Sequence, residues 1–370
     1  MAKNNTSGSS QKNNASLRPT QPRATGKRSK PVARWTGRGV QRRLVLQNAF
    51  CEIELWPERG GAIGRYVDRA SGIDIIWRNP YGQPPLLRVL DQPMVGGSDL
   101  YDVMDGSWYV SLPNGFFAGD YFGAPLGTHG ELRAVPWVVE KPKTVAAGAL
   151  SVTLVGRSIR TPLVYRRTLL LRAESPRMQW TETVENRGPE PLPIAWLQHP
   201  TFGGPLLDGA SLIAPAKTVR VYKTDTPAAI QLEAGYSGTW PFVRERGSER
   251  MRDCSIVPPA NAGTDHSVQL GDFAAGQGCI WNEAKGLGFA MEWDLKTFPY
   301  AWSWNCAGGI PRYPLWGEGH IITLQPSTSP VGRFADLMKS GDLLTIPARG
   351  AVSTKLTTGF THRPTGPWLE

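Results

Sequence analysis

Between residues 44 and 360, outside the stretch 78–128, the apolar positions recur with a period of two in short runs, and from Trp137 to Trp196 turn residues punctuate these runs at intervals of ten to fifteen. Leu150–Gly156, Leu163–Arg172 and Met178–Glu185 alternate in this way, with turns at Arg160-Thr-Pro162, Glu174-Ser-Pro176 and Asn186-Arg-Gly188. Period two places successive side chains on opposite faces of a pleated strand, so these runs predict strands. Leu44–Leu46 with Cys51–Leu55, and Ile63–Val67 with Ile73–Trp77, read as hairpins. Further strands are expected at Leu192–Gln198, Ser211–Ala214, Thr218–Lys223, Ser267–Leu270, Gly278–Trp281, Gly288–Trp293, Trp302–Trp304, Leu343–Pro347 and Ala351–Gly359. A helical period of 3.6 is almost absent. The pattern therefore predicts an all-β protein of large antiparallel sheets, and nothing between 44 and 360 reads as a linker.

One strand organises the candidate chemistry. His320–Leu324 runs into Gln325-Pro326, with Ile321, Thr323 and Gln325 on one face and His320, Ile322 and Leu324 on the other. Pro326 lacks a ladder donor, so the strand is expected to end there or to lie at an edge. Residues 78–128, rich in Pro, Gly and aromatics, read as a long irregular excursion, which in a compact protein is functional or covering.

Composition alters this picture in one place. The chain of 370 residues carries a net charge of +10, yet residues 1–43 hold eleven Lys and Arg and no acid, leaving 30 basic against 31 acidic residues elsewhere. Basicity belongs to the tail and not to the sheets. Residues 1–40 are expected to be a disordered basic tail, with an organelle transit peptide as the alternative, and residues 41–362 a single domain. The tail has one aromatic residue, Trp35, so a nucleic-acid partner is not expected. Cys51, Cys254, Cys279 and Cys306 show no metal or disulfide spacing, which fits a reducing, cytoplasmic setting. No apolar run reaches membrane-spanning length. Most of the 14 Trp are expected in the core.

Five histidines are present. His362 lies near the end of the chain, His266 in a polar run expected at the surface, and His320 opposite Gln325. His129, in Leu126-Gly-Thr-His-Gly130, and His199, in Trp196-Leu-Gln-His-Pro200, each sit beside Gly or Pro loops; if they converge they form an acid and electrophile pair. Asp99, Asp102 and Asp105 lack calcium-loop spacing and read as solvated turn acids. No serine-hydrolase elbow, zinc-peptidase helix, dinucleotide fingerprint or phosphate loop appears.

The ordered motifs Pro-x-x-Gly-Gly-Ala (57–62), Leu-Gly-Thr-His-Gly (126–130), Val-x-Asn-Arg-Gly (184–188), Trp-x-x-His-Pro-x-Phe (196–202), Phe-Pro-Tyr-x-Trp (298–302) and Leu-Gln-Pro-Ser-Thr-Ser (324–329) resemble the aldose 1-epimerase, or galactose mutarotase-like, superfamily in a divergent branch. The resemblance implies a β-supersandwich with a sugar cleft on one face and no cofactor. It implies that His199 is the general acid on the ring oxygen and that His129 binds nearby. The superfamily's general base is a glutamate, and here that position is Gln325. An amide bonds a hydroxyl but takes up no proton near neutral pH. Two functions follow: an aldose isomerase with a relocated base, or a non-catalytic carbohydrate-binding protein holding sugar with Gln325, Trp302 and Trp316. Glu318 is the nearest carboxylate in sequence, with Glu131 and Asp294 as further candidate bases. Arg133, Arg166 and Arg312 are the arginines available to an anionic substituent.

Overall fold

In the computed structural model, the described residues are 1, 30–81, 104, 106–223, 231–363, 365–366 and 368. The Asp99, Asp102 and Asp105 group lies outside them. Two antiparallel sheets dominate. The larger, of twelve strands, runs in the order Val32–Thr36, Arg43–Gln47, Cys51–Trp56, Ala62–Asp68, Trp108–Ser111, Leu197–Pro200, Gln325–Ser327, Tyr300–Ala307, Thr264–Gly271, Thr218–Arg220 and Ser237–Thr239; His320–Ile322 adds to Tyr300–Ala307. The nine-stranded sheet runs Ala210–Ile213, Gln277–Asn282, Leu287–Trp293, Ala351–Thr361, Arg177–Asn186, Leu163–Leu171, Leu150–Arg157 and Val138–Val139, with Lys143–Thr144 also on Leu150–Arg157.

The alternating runs form these strands because one face of each is buried. Leu163–Leu171 buries Leu163, Tyr165, Arg167, Leu169 and Leu171 inward and pairs along its length with Arg177–Asn186. The inner faces of both sheets meet in one core, where Trp108 meets Trp180 edge-on at 4.8 Å and Tyr66 meets Phe289 at 5.0 Å. Such pairs add about 0.5–1.5 kcal/mol each beyond the area they bury. Ten of the tryptophans are buried, as the composition led us to expect. The four cysteines are buried thiols. Burial is the first cause that pushes Cys51, Cys254 and Cys306 up to about 12. Among the described residues no helix is long and apolar enough to cross a membrane.

The structure corrects several boundaries. The strand Val32–Thr36 pairs with Arg43–Gln47, so sheet structure starts inside the stretch expected to be a structureless tail. Leu192–Gln198 is two strands: Leu192–Ile194 pairs with Leu344–Ile346, and Leu197–Pro200 enters the large sheet. Trp108–Ser111, expected to be irregular, is a strand in the middle of that sheet. Gln325–Ser327 is also central and not an edge; Pro326 is tolerated because the ladder to Leu197–Pro200 consists of one pair, Leu197↔Ser327. His266 is buried in Thr264–Gly271, cross-strand from Asn305, and not at the surface.

Candidate functional site

Strand register builds the site. Tyr109 pairs with His199. Leu197 pairs with Ser327, and continuing that antiparallel register brings His199 level with Gln325. Gln325 pairs with Trp302, Trp302 with Gln269, and Gln269 with Arg220. At about 4.8 Å per strand, one row of side chains crosses the outer face of the large sheet. The neighbours on either side, Trp108, Val110, Leu324, Ala301, Val268 and Leu270, point the other way into the core.

Onto this row a loop delivers His129. Its backbone is left-handed, at φ 64°, and Gly130 follows at φ 72°, so the chain turns sharply here. The Asn114 side-chain amide donates to the carbonyls of Phe117 (2.7 Å) and Gly127 (3.0 Å), and the His129 backbone N–H donates to the Phe116 carbonyl at 3.3 Å. The Gly115 carbonyl accepts from the Ser111 hydroxyl, and the His129 ring nitrogen Nδ1 is buried with no protein partner among the described residues. The two imidazoles meet with ring centroids 4.5 Å apart at 71°. His199 stacks on Tyr109 at 4.5 Å and 10°, while Phe116 meets His129 edge-on at 4.9 Å and stacks on Trp302 at 5.4 Å and 7°.

Arg133 arrives on the short 3-10 turn Leu132–Ala134, its guanidinium 6.0 Å from the Tyr109 ring and its Nε donating to the Thr128 carbonyl. Burial, joined by the positive field of Arg133 and opposed by the residue's own backbone carbonyl, takes His199 down to about 3. Burial first, then His199 and Arg133, lowers His129 well below its usual range. Both rings are therefore neutral at neutral pH, each offering one donor and one acceptor. Thr323 Oγ1 holds one end of the buried Gln325 amide at 2.8 Å, and Gln325 Oε1 has no protein partner among the described residues.

Of the residues expected from the sequence, the structure brings together His129, His199, Arg133, Trp302 and Gln325. It does not bring in Trp316 and Glu318. Both are exposed in a turn whose continuation, His320–Ile322, pairs with Asn305–Ala307, beyond Trp302 on the same strand. From Trp302 to Ala307 is about 16 Å at strand rise. Trp302 is only 6% exposed beneath Phe116, against 55% for Trp316. Glu131 is not a free base, because its carboxylate accepts from the Ile159 and Arg160 N–H groups and from Thr161 Oγ1. Asp294 caps its own turn, accepting from Lys296 N–H and Thr297 Oγ1. Arg166 pairs with Glu140 on the nine-stranded sheet, and Arg312 is exposed. Tyr109 and Phe116 were not foreseen; the sequence signal for them was the cluster of aromatics in a stretch read as irregular.

The buried imidazoles make a stability prediction. In the unfolded chain they titrate near 6.5, whereas His199 and His266 titrate at about 3 when folded. Between these values the unfolded state binds more protons, so acid destabilises, by about 2 kcal/mol per imidazole from pH 7 to pH 5. Asp265, raised to about 6 by burial, works the other way by about 1 kcal/mol over the same interval. In denaturant unfolding at both pH values, His266→Leu should flatten the loss by about 2 kcal/mol. An unchanged slope would show that His266 titrates normally in the fold.

Comparison with solved structures places this architecture. It is similar to a galactose mutarotase-like protein from Clostridium acetobutylicum, with 13% identity, a TM-score of 0.64, and coverage of 90% of this chain and 98% of that one. It is also similar to a candidate aldose 1-epimerase from Klebsiella pneumoniae subsp. pneumoniae, with 15% identity, a TM-score of 0.67, and coverage of 89% and 83%. A candidate aldose 1-epimerase from Escherichia coli K12 gives 14% identity, a TM-score of 0.56, and coverage of 89% and 99%. At such identities the likeness is one of fold, and the fold is galactose mutarotase-like. No curated protein sequence matches the chain. A sequence model of one family matches residues 37–359, so the chain belongs to the family described as a domain of unknown function, DUF4432.

Proposed function

We propose that the row Tyr109–His199–Gln325, roofed by His129 and Phe116, binds an aldose in its ring form. The carrying observation is the convergence of two buried, neutral imidazoles and one amide on a single face. Each supplies a directional hydrogen bond to a hydroxyl or ring oxygen, and half-buried Phe116 offers an aromatic face to the sugar's C–H side. No cofactor enters this reading.

Recognition is favoured over turnover. Anomer exchange needs a proton delivered to the ring oxygen and one taken from the C1 hydroxyl. With its conjugate acid at about 3, His199 is protonated in only about one molecule in 10⁴ at pH 7. The amide of Gln325 takes no proton. The second reading is aldose 1-epimerase chemistry with His199 as acid and His129 as support. The 4.5 Å approach of the rings and the names of the structural neighbours speak for it.

One set of NMR samples tests both. Aldoses titrated into the protein should shift and broaden without faster anomer exchange, and His199→Ala should weaken affinity about tenfold, the worth of one or two buried hydrogen bonds. Exchange accelerated by the wild-type protein and lost in His199→Ala would establish the epimerase reading instead. No shift with any aldose would remove the sugar from both.

A further inference from the structure

On the inner side of the strand that carries His199, the apolar core contains a closed polar network. Arg167 and Glu182, both fully buried, are cross-strand partners in the nine-stranded sheet, with Arg167 Nε donating to Glu182 Oε1 at 2.7 Å. Gln198 reaches them from the large sheet: its Nε2 donates to Glu182 Oε2 at 2.6 Å, and its Oε1 accepts from the guanidinium at 3.5 Å. The same Oε1 accepts from Trp108 Nε1 at 3.2 Å, and the guanidinium also donates to the Gly61 carbonyl at 3.3 Å. Three aromatic rings, Trp180, Trp137 and Tyr165, stand 5.0, 5.5 and 5.9 Å from the guanidinium carbon. Burial works against the charge of Arg167, but Glu182 and Tyr165 outweigh it, so the ion pair is retained.

Stability does not account for this arrangement. Removing two charges from water costs about as much as their attraction returns, and apolar residues of the same volume commonly do as well or better. What a charge-assisted network supplies and apolar packing does not is direction, because its bonds fail when a strand slides or rotates. The placement is specific. Gln198 and Trp108 bond on the inner face of two adjacent strands, and their sequence neighbours His199 and Tyr109 stack on the outer face. Fixing the inner pair fixes the outer one.

We propose that Arg167, Glu182 and Gln198 are positioning residues for the sugar site, locking the register and tilt of the strand Leu197–Pro200 so that His199 stays stacked on Tyr109 and level with Gln325. The inference rests on the proposed sugar site for its purpose, but not for its test. The experiment compares wild type with Gln198→Met, which keeps the side chain's length and removes its bonds, and with the double variant Arg167→Met/Glu182→Met, which leaves no lone buried charge. The readouts are the His199 ring resonances and their titration by NMR without sugar, aldose affinity, and the thermal midpoint.

Both variants should remain folded, with Gln198→Met lowering the midpoint because Glu182 Oε2 and Trp108 Nε1 lose a partner, while the His199 resonances move, its titration rises toward the ordinary range, and aldose affinity falls about tenfold. Identical His199 resonances and titration in folded Gln198→Met overturn the proposal, and this variant decides alone if the double variant does not accumulate, since it leaves the Arg167–Glu182 pair in place. A wild-type protein that binds no aldose overturns the sugar reading, and the ring resonances still decide the positioning.

Discussion

Gly130→Ala is expected to destabilise the protein by about 3 kcal/mol or more and to abolish whatever ligand binding depends on His129. An alanine Cβ at this position would lie 2.0 Å from the Leu112 carbonyl oxygen and 2.5 Å from its carbon, with Asn114 Oδ1 at 2.9 Å. The first two are backbone atoms, so no rotamer change relieves the overlap. Gly130 bridges Leu112 directly, and Leu112 continues the strand that carries Tyr109. Relief therefore moves either the Tyr109 strand or the loop that presents His129. The left-handed φ of 72° adds about 1 kcal/mol for a residue with a Cβ. Gly123 isolates that smaller cost: its φ is 89°, and nothing lies within 4 Å of its added Cβ. Urea unfolding of the two variants separates the effects, and a Gly130→Ala loss no greater than that of Gly123→Ala would mean the loop yields freely.

The outcome of that comparison bears on why parts of this protein were readable from its sequence and parts were not. Strands with one buried face announce themselves. Arg177–Asn186 alternates between buried and open positions along its whole length, and its period-two pattern was legible. Trp108–Ser111 is buried on both faces because the loop bearing His129 covers its outer side, and there the alternation disappears. Leu192–Gln198 is apolar through its middle, so nothing local marks Ala195-Trp196 as the place where the chain leaves one sheet for another. Ile73–Trp77 carries strand-like residues, but Asp74 Oδ1 accepts the N–H groups of Tyr66 and Ile76 and replaces a regular ladder. His266 looked like a surface residue because its neighbours are polar, but Thr264 and Asp265 are buried with it and Ser267 is half-buried.

The site divides along the same line. His129 and His199 were legible as motif residues, and the fold brings their rings together. The row itself was not, because it is a property of register, and register is set by pairings between segments as far apart in sequence as Leu197 and Ser327. Glu318 and Trp316 were drawn in by closeness in sequence to Gln325. The strand geometry carries them away from Trp302, whereas position 325 stands level with His199.

Gln325→Glu is accordingly expected to convert the site from holding an aldose to interconverting its anomers, with exchange accelerated by at least about 10²-fold over wild type. The introduced carboxylate would occupy a buried position held by Thr323 Oγ1 and level with His199. Two consequences follow from its charge. It can accept the C1 hydroxyl proton, and its negative field raises the neighbouring imidazoles from their depressed values, making His199 a competent acid. The field of Arg133, which now holds both imidazoles down, would instead favour the ionised carboxylate. Burial opposes that ionisation, so the variant should be less stable at high pH than at low pH relative to wild type, and its exchange rate should rise with pH as the carboxylate ionises. Anomer exchange by NMR across pH 5–8, with affinity measured on the same samples, tests this. A variant that binds aldoses as wild type does and leaves exchange at the solvent rate would show that the imidazole pair is aimed at hydroxyls and not at the ring oxygen. Recognition would then be the whole of what this face does. An accelerated rate that is lost again in the double variant Gln325→Glu/His199→Ala would show an acid and a base separated by one substitution from working together.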